Sequence, residues 1–191
     1  MNEAELHELL ERHGGIVRGH FKLSSGRHSD VFLQTAAVLK HPHLAERLGH
    51  ELGARFADAG ATVVLAPAMA GLIIGHEVAS FLGIPMLFCE RVAGVLELRR
   101  GFELTTHDRV LIIDNAVTDG LSKREVIELA RGSGANVVGV GVIVSRSENI
   151  SLDVPFHALL TLPTVDWEPD ACPLCAEGSQ PSAPGSRHLV H

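Results

Sequence analysis

The segment VLIIDNAVTDGLS, residues 110–122, constrains the fold of this chain most strongly, because a buried-strand pattern leads through a polar turn into the start of a helix. Apolar and β-branched residues up to Asp114 indicate a central parallel strand covered on both faces. Ser122, followed three residues later by Glu125, predicts a capping box. The turn would present backbone N–H groups at a helix N-terminus, where a bound anion is favoured. The segment therefore predicts a phosphate site at the carboxyl edge of a sheet.

Strand and helix patterns alternate along the rest of the chain. Strands are predicted at 62–66, 108–114, 136–145 and 156–162, a turn and a strand at 83–89, and helices at 41–60, 71–82 and 122–131. This alternation implies right-handed βαβ units, and hence an α/β fold with a mainly parallel central sheet flanked by helices on both faces. Residues 163–191 are rich in Pro, Gly and Ser and lack periodicity, so we expect them to form an extended tail.

Length and charge narrow the classes of protein. The chain has 191 residues, 46% of them hydrophobic, which fits a single domain over 1–191. Its net charge of −7 offers no basic face for nucleic acid. The first residues predict a charged amphipathic helix, and no apolar run approaches the roughly 20 residues of a membrane span. We expect a cytoplasmic protein that binds neither nucleic acid nor membranes.

The 110–122 segment resembles the phosphoribosyl diphosphate (PRPP) signature of type I phosphoribosyltransferases. That signature has hydrophobic residues, two acidic residues, two spacers, Thr-Thr or Thr-Ala, and Gly. Here Asn115 stands at the second acidic position, Asp119 follows Thr118, and Leu121 stands where Gly is common. The resemblance implies PRPP contacts from Asp114, Asn115, Thr118, Asp119, Gly120, Leu121 and Ser122.

A second motif lies at residues 19–34, GHFKLSSGRHSDVFLQ, where two alternating runs around SSG predict a hairpin. It resembles the segment of orotate phosphoribosyltransferases that caps the nucleobase. That family resemblance implies a type I phosphoribosyltransferase fold with a small amino-terminal hood, formed here by residues 1–40. It also implies orotate contacts from Ser24, Ser25, Gly26, Phe32, Thr118 and Arg146.

Two further segments fit the same family. LAPAMAG, residues 65–71, resembles its pyrophosphate loop, although Ala66 and Ala70 occupy positions where glycine or lysine is usual. The implied PRPP contacts there are Ala68, Met69, Ala70 and Gly71. Residues 90–102 resemble the mobile catalytic loop, which often acts across a dimer interface. We therefore expect a homodimer in which Arg91, Arg99 and Arg100 act as catalytic cations.

The family reaction transfers the phosphoribosyl group of PRPP to orotate, giving orotidine 5′-monophosphate and pyrophosphate in pyrimidine synthesis. Its transition state resembles an oxocarbenium ion, so catalysis depends on positioning and electrostatics. Asp114 would hold the ribose hydroxyls and oppose the developing positive charge. Residues 118–122 would bind the 5′-phosphate. Mg²⁺ would be held chiefly by substrate oxygens.

Two other functions stay open, because Asp119 places a carboxylate in the expected anion site and Asn115 removes a charge. One is a catalytically lapsed relative that binds a nucleotide as a regulatory module. The other is a phosphoribosyltransferase for another base, which Arg146 and residues 19–34 disfavour.

The histidines and cysteines do not predict a metal site. Cys172 and Cys175 could supply half of a zinc site, but a structural site needs four ligands. His20 and His28 lack the helical spacing of a metal pair. We expect ordinary surface or tail cysteines and no protein metal site.

Overall fold

The structure, a computed structural model, describes residues 1–23 and 25–184. The strands of this part of the chain are, in order, β1 (Ile16–Lys22), β2 (His28–Leu33), β3 (Val63–Pro67), β4 (Met86–Val92), β5 (Val95–Leu98), β6 (Arg109–Val117), β7 (Asn136–Ser145), β8 (Phe156–Thr161) and β9 (Asp166–Trp167). The helices are α1 (Glu3–Arg12), α2 (Ala36–Leu39), α3 (Pro42–Ala54), α4 (Leu72–Leu82), α5 (Leu121–Gly132) and α6 (Pro173–Ala176). No helix in the described ranges is long and apolar enough to cross a bilayer.

The central sheet has six strands in the order β5-β4-β3-β6-β7-β8. Every neighbouring pair is parallel except β4 and β5, which are antiparallel. Strands β3, β6 and β7 occupy the middle, and their apolar runs are buried on both faces, as expected for parallel strands covered by helices. The predicted α/β fold with a mainly parallel sheet is confirmed.

The core is divided between the two faces of this sheet. Leu111 and Ile113 belong to the cluster that contains the buried side chains of α1, α3 and α4. Val110 and Ile112 belong to the second cluster, together with the apolar face of α5. Because successive side chains of a strand point to opposite faces, β6 contributes to both clusters, as do β3 and β7. Because these buried contacts hold β6 in place, they also fix the position of the polar residues that follow the strand.

A smaller antiparallel sheet, β1-β2-β9, forms the hood beside the main sheet. The hairpin predicted within residues 19–34 is present, with β1 and β2 as its strands. The register shifts between Arg18 and Phe21, and the neighbouring His20 and Phe21 are both buried. A bulge explains this, since it breaks the alternation of a strand and turns a side chain to a new direction.

Several element boundaries differ from the prediction. Helix α3 ends at Ala54 rather than near Gly60, because the next amides bond to carbonyls three residues back and tighten the chain into turns. Strand β6 continues to Val117 because it pairs with β7 as far as Ser145. Residues 90–102, which resemble the mobile catalytic loop, contain the end of β4 and all of β5.

The carboxyl-terminal segment folds back onto the hood, whereas an extended tail was expected. It contains β9, a 3-10 turn (Pro169–Ala171) and α6, all too short to give a periodic signal. Arg27 holds it through salt bridges to Asp166 and Glu168. The prediction of surface or tail cysteines is wrong for Cys172, which is 3% exposed. Residues 185–191 of the expected tail lie outside the described residues.

Candidate functional site

A cleft of about 870 Å³ opens between the hood and the carboxyl ends of β6 and β7. This is the edge at which open α/β sheets bind ligands. Eight of the predicted site residues line it: Ser25, Phe32, Arg91, Thr118, Asp119, Leu121, Ser122 and Arg146. Gly26, Ala68, Met69, Ala70, Gly71, Arg99, Arg100, Asp114, Asn115 and Gly120 do not line this cleft. The predicted contact Ser24 lies outside the described residues.

The turn between β6 and α5 has the geometry of an anion-binding nest. Gly120 adopts a left-handed conformation, φ 84°, directly before the helix. In the described part of the chain, the backbone N–H groups of Thr118, Asp119 and Gly120 have no hydrogen-bond acceptor. Successive unpaired N–H groups at a helix N-terminus attract an anion through both hydrogen bonding and the helix dipole. The turn is therefore suited to bind a phosphate group.

The predicted capping box is wrong. Helix α5 begins at Leu121, its N-cap is Gly120, and no side chain caps it in the manner of a Ser-x-x-Glu box. Ser122 lies inside the first turn, and its hydroxyl accepts a hydrogen bond from Lys123 Nζ at 3.2 Å. Glu125 instead forms a salt bridge with Arg91. Because glycine tolerates a positive φ, the chain enters the helix two residues earlier than the capping signal indicates.

Asp119 makes a local contact at the head of this helix. Its Oδ1 accepts a hydrogen bond from the Leu121 N–H at 3.0 Å, while the residue as a whole is exposed. The carboxylate therefore accepts the hydrogen bond of an N–H group that could otherwise donate to an incoming phosphate. The positive end of the helix dipole favours this carboxylate, as it would favour a phosphate.

Asp114 lies beneath the cleft, near the end of β6, and is 6% exposed. Its Oδ2 forms a salt bridge with Lys123 of α5, which is 3% exposed. Its Oδ1 accepts the Asn115 backbone N–H at 2.7 Å. Both carboxylate oxygens are therefore held, and a buried negative charge is balanced by a buried positive one. This pairing fixes the orientation of the Asp114 carboxylate.

Asn115 supports the hood connection. Its side-chain Nδ2 donates to Thr35 Oγ1 at 2.6 Å, and Thr35 is 2% exposed in the segment between β2 and α2. A carboxylate could accept the Thr35 hydroxyl proton but could not donate to it. Asn115, which stands where an acidic residue is usual, therefore has a structural role as a hydrogen-bond donor to Thr35.

Residues 68–71 lie at the end of β3, on the same sheet edge as the turn. Met69 is 80% exposed, and the Ala68–Met69 peptide bond is cis. A Cβ at Gly71 would stand 3.0 Å from the carbonyl oxygens of both Ile113 and Pro67. Glycine is required there because the loop packs directly against the backbone of β6.

The predicted catalytic arginines take different positions on the β4–β5 hairpin. Arg91 lines the cleft, where it donates to the Gly94 carbonyl at 2.6 Å and pairs with Glu125. Arg100 forms a two-pronged salt bridge with Glu90, at 3.1 and 2.9 Å, and lies over the Phe88 ring. Hydrogen bonding from Arg100 lowers the pKa of Glu90. Within this chain, Arg91 alone of the three reaches the cleft.

Arg146 is one of the cations that line the cleft, and it contacts Ser29 of the hood. Its Nε donates to Thr164 Oγ1 at 2.6 Å and its Nη2 to Ser29 Oγ at 3.3 Å. It forms no salt bridge with any carboxylate of the described residues. Burial lowers the pKa of the guanidinium, and the charges of Asp166 and Asp30 partly oppose this shift. A half-buried guanidinium held by hydroxyl groups can still bind a carboxylate from a ligand.

Three cations of this region were not predicted from the sequence. Lys22 and Arg27 line the cleft from within the 19–34 motif. Lys123 shares the buried face of α5 with Val126, Ile127 and Ala130. Its spacing from those residues, three, four and seven positions, is the signal that could have identified it as an inward-facing cation.

Solved structures share this architecture. An orotate phosphoribosyltransferase from Aeropyrum pernix is 27% identical, with a TM-score of 0.69 over 82% of this chain and 93% of that one. A Mycobacterium tuberculosis orotate phosphoribosyltransferase solved with inorganic phosphate is 26% identical, with a TM-score of 0.65 over 84% and 95% of the two chains. The fold and the cleft are those of a type I phosphoribosyltransferase.

Curated relatives define the family more narrowly, although no family model matches the chain. An orotate phosphoribosyltransferase of Pelotomaculum thermopropionicum is 45% identical over 190 residues, which is 99% of this chain and all of the relative. That of Desulforamulus reducens is 42% identical over 191 residues and the full length of both chains. The chain belongs to the orotate phosphoribosyltransferase family.

Proposed function

We propose that this chain transfers the phosphoribosyl group of PRPP to orotate, giving orotidine 5′-monophosphate and pyrophosphate in pyrimidine synthesis. One observation carries the proposal beyond family membership. Thr118 and Asp119, from the turn with unpaired N–H groups, lie on one wall of the cleft, and the Arg146 guanidinium lies on the other. A 5′-phosphate fits the first and the orotate carboxylate fits the second.

In the proposed complex the 5′-phosphate accepts hydrogen bonds from the turn amides and from the hydroxyls of Thr118 and Ser122. Orotate lies beneath the hood, with its carboxylate on Arg146 and its ring beside Phe32. Both residues line the cleft, and Phe32 is braced by Phe21, the ring centroids being 5.6 Å apart. Binding at two fixed ends aligns the ring nitrogen with C1 of the ribose.

The reaction forms a bond from the orotate ring nitrogen to C1 as the bond from C1 to pyrophosphate breaks. The proton of that nitrogen is released. Positive charge develops on the ribose between these events, and Asp114 supplies the negative charge beneath it. Because Lys123 and the Asn115 N–H hold this carboxylate in place, it needs no reorganisation during the reaction.

The donor set of the cleft fits Mg²⁺ bound mainly to the substrate. Asp119 accepts the Leu121 N–H and Asp114 is engaged by Lys123, so oxygens of the substrate and water would supply most of the ligands. Mg²⁺ usually keeps several water molecules and takes few protein ligands. When bound, it would neutralise charge on the pyrophosphate group.

A homodimer is the second part of the proposal. Met69, Ile73, Phe81 and Val95 are large apolar side chains that are 80%, 44%, 40% and 61% exposed. They lie on the 68–71 loop, on α4 and on the β4–β5 hairpin, and apolar side chains exposed in this way favour a protein interface. In a dimer, the Arg99 and Arg100 region of one subunit would reach the pyrophosphate of the other. We place this enzyme in the cytoplasm, since its three free cysteines suit a reducing compartment.

The direct test is turnover by the purified full chain with PRPP and Mg²⁺, in parallel with orotate, adenine and hypoxanthine. We expect that only orotate is consumed, and the decrease in orotate absorbance monitors this reaction. Turnover of a purine would contradict the assignment of the base. Binding of PRPP without turnover of any base would instead identify a lapsed, nucleotide-binding relative.

A further inference from the structure

Four potential metal ligands converge on the far side of the hood. They are His20 from β1, His28 from β2, and Cys172 and Cys175 from the tail that packs against both strands. Their ligand atoms all lie within 4.8 Å of one another. His20, His28 and Cys172 are 7%, 5% and 3% exposed. This cluster belongs neither to the cleft nor to the turn that would bind phosphate.

The distances between the ligand atoms match a tetrahedral site. His20 Nε2 lies 3.1 Å from His28 Nδ1, 3.5 Å from Cys172 Sγ and 3.7 Å from Cys175 Sγ, and Cys175 Sγ lies 3.3 Å from His28 Nδ1. Zinc bonds of about 2.3 Å to sulfur and about 2.0–2.1 Å to nitrogen give tetrahedral edges of about 3.3–3.4 Å between nitrogens and about 3.5–3.6 Å between nitrogen and sulfur. The four atoms therefore surround a space of the size that one zinc ion requires.

Hydrogen bonding alone satisfies this cluster poorly. A ring nitrogen carries either one proton or one lone pair, so His20 Nε2 can satisfy only one of its three polar neighbours at a time. The other ring nitrogen, Nδ1, is buried and has no hydrogen-bond partner among the described residues. A thiol is a weak donor. A cation at the centre would engage one lone pair from each of the four groups at once.

We propose that His20, His28, Cys172 and Cys175 bind a zinc ion that fastens the tail to the hood. Two sulfurs and two imidazoles in tetrahedral arrangement form a Cys₂His₂ set, and such a closed set is typical of structural zinc. Binding deprotonates both thiols, so two protons leave for each zinc bound, and the imidazoles bind as neutral rings. The expectation of no protein metal site is thereby replaced by this proposal.

The site would also support the orotate side of the cleft. His28 pairs with Trp167 across β2 and β9, and the adjacent Ser29 pairs with Asp166. Ser29 Oγ donates to the Val165 carbonyl at 2.9 Å and accepts from Arg146. Zinc would therefore hold the strand pair on which Arg146 is positioned. This functional consequence rests on the proposed function, whereas zinc binding itself does not.

The test begins with the unaltered full chain, produced with zinc in the medium and purified without chelator. Elemental analysis should find one zinc per chain, and X-ray absorption should show two sulfur neighbours at about 2.3 Å and two nitrogen neighbours at about 2.0 Å. Zinc added to the metal-free, reduced chain should release two protons per ion. A reduced chain that takes up no zinc, or a Cys172–Cys175 disulfide in freshly purified protein, would overturn the proposal. So would zinc bound without sulfur neighbours.

Variants locate the ion. Cys172→Ser/Cys175→Ser and His28→Ala should each lose the tightly bound zinc, whereas the matched controls Cys89→Ala and His107→Ala should keep it. Cys89 lies in the central sheet and His107 on an exposed turn, both outside the cluster. If a ligand variant fails to fold, titration of the unaltered, metal-free chain with cobalt tests the site instead. A visible tetrahedral spectrum with a thiolate charge-transfer band supports the site, and its absence contradicts it.

The last measurement tests the fastening role. Zinc removal should lower the melting temperature of the chain by about 5 °C or more, and zinc return should restore it. With Mg²⁺ in excess, removal should raise the KM for orotate more than it lowers kcat. If the chain is inactive but binds zinc and shows the expected change in melting temperature, the proposed reaction is wrong and the zinc site is supported.

Discussion

Lys123 on α5 and Asp114 on β6 form a salt bridge that is almost completely buried, with side chains 4% and 8% exposed. The pair joins the helix that would receive the phosphate to the strand that carries the acid beneath the ribose. Neither charge can be removed alone without leaving the other unpaired in the protein interior. In the proposed complex, one ion pair would therefore link phosphate binding to the position of the acid.

Lys123→Met should destabilise the chain by about 3–5 kcal/mol, because Asp114 would be left buried without its partner. Denaturant unfolding measures this loss. The control is Lys40→Met, which removes an exposed lysine and should change the unfolding free energy little. If the Lys123 variant and the unaltered chain had equal unfolding free energies, Lys123 and Asp114 could not form a buried salt bridge.

Arg146→Gln should raise the KM for orotate roughly 10- to 100-fold, since a hydrogen bond to a charged group contributes about 1.5–3 kcal/mol. The KM for PRPP should stay nearly unchanged, because the turn at 118–122 is not altered. Steady-state kinetics with each substrate varied separately distinguish the two. Arg18→Gln, which removes an exposed arginine paired with Glu11, is the control. A rise in both KM values would assign Arg146 a general structural role.

Replacing Asp119 by Thr should tighten PRPP binding about tenfold, or about 1.4 kcal/mol, because it removes a negative charge and frees the Leu121 N–H. Asp119→Asn separates these two effects, since it removes the charge and keeps a hydrogen-bond acceptor for that N–H. Calorimetric titration with Mg²⁺ and PRPP measures both variants. Unchanged affinity in both would mean that the carboxylate turns away from the phosphate in the complex.

The proposed dimer predicts recovery of activity from two inactive parents. Arg99→Ala/Arg100→Ala loses the cations of the hairpin, and Asp114→Asn loses the acid while keeping a polar partner for Lys123. Mixed after mild dissociation, they should form hybrid dimers with one intact site, so part of the activity returns. A monomer at micromolar concentration in sedimentation equilibrium would contradict the shared site.

Cys89 should make stability depend on pH in the alkaline range. Burial raises its pKa from 9.0 to about 11, so the folded chain keeps the thiol proton after the unfolded chain has lost it. Its contribution is complete below pH 9 and is lost as the pH rises from 9 to 11, by up to about 2–3 kcal/mol. Unfolding free energies of the unaltered chain and Cys89→Ala should therefore converge over this range. Parallel curves would contradict the shift.

The sequence predicted the parallel core of this fold because its signals are long and local. Asn136–Ser145 has the predicted strand bounds, and the Leu72–Leu82 helix differs from prediction by one residue. The turn at 118–120 was predicted from the same kind of local signal, since strand, turn and helix are consecutive in the chain. Its entry into the helix was misjudged because Gly120, with its positive φ, begins the helix without a side-chain cap.

The parts that sequence analysis missed depend on contacts between distant segments. Cys172 is 152 positions from His20, and the tail has no periodicity that would predict its return to the hood. Arg91 was expected to bind pyrophosphate, and its contact with Glu125 spans 34 positions. Lys123 is different, because its helical spacing from buried neighbours was available and was not used.

The most direct measurement of the central claim is a crystal structure of the chain with orotidine 5′-monophosphate. We predict the phosphate on the N–H groups of Thr118, Asp119 and Gly120, and the base carboxylate on Arg146. The ribose should then lie above Asp114. A phosphate bound elsewhere, or a base turned away from Arg146 with the phosphate in the turn, would contradict this account of the site.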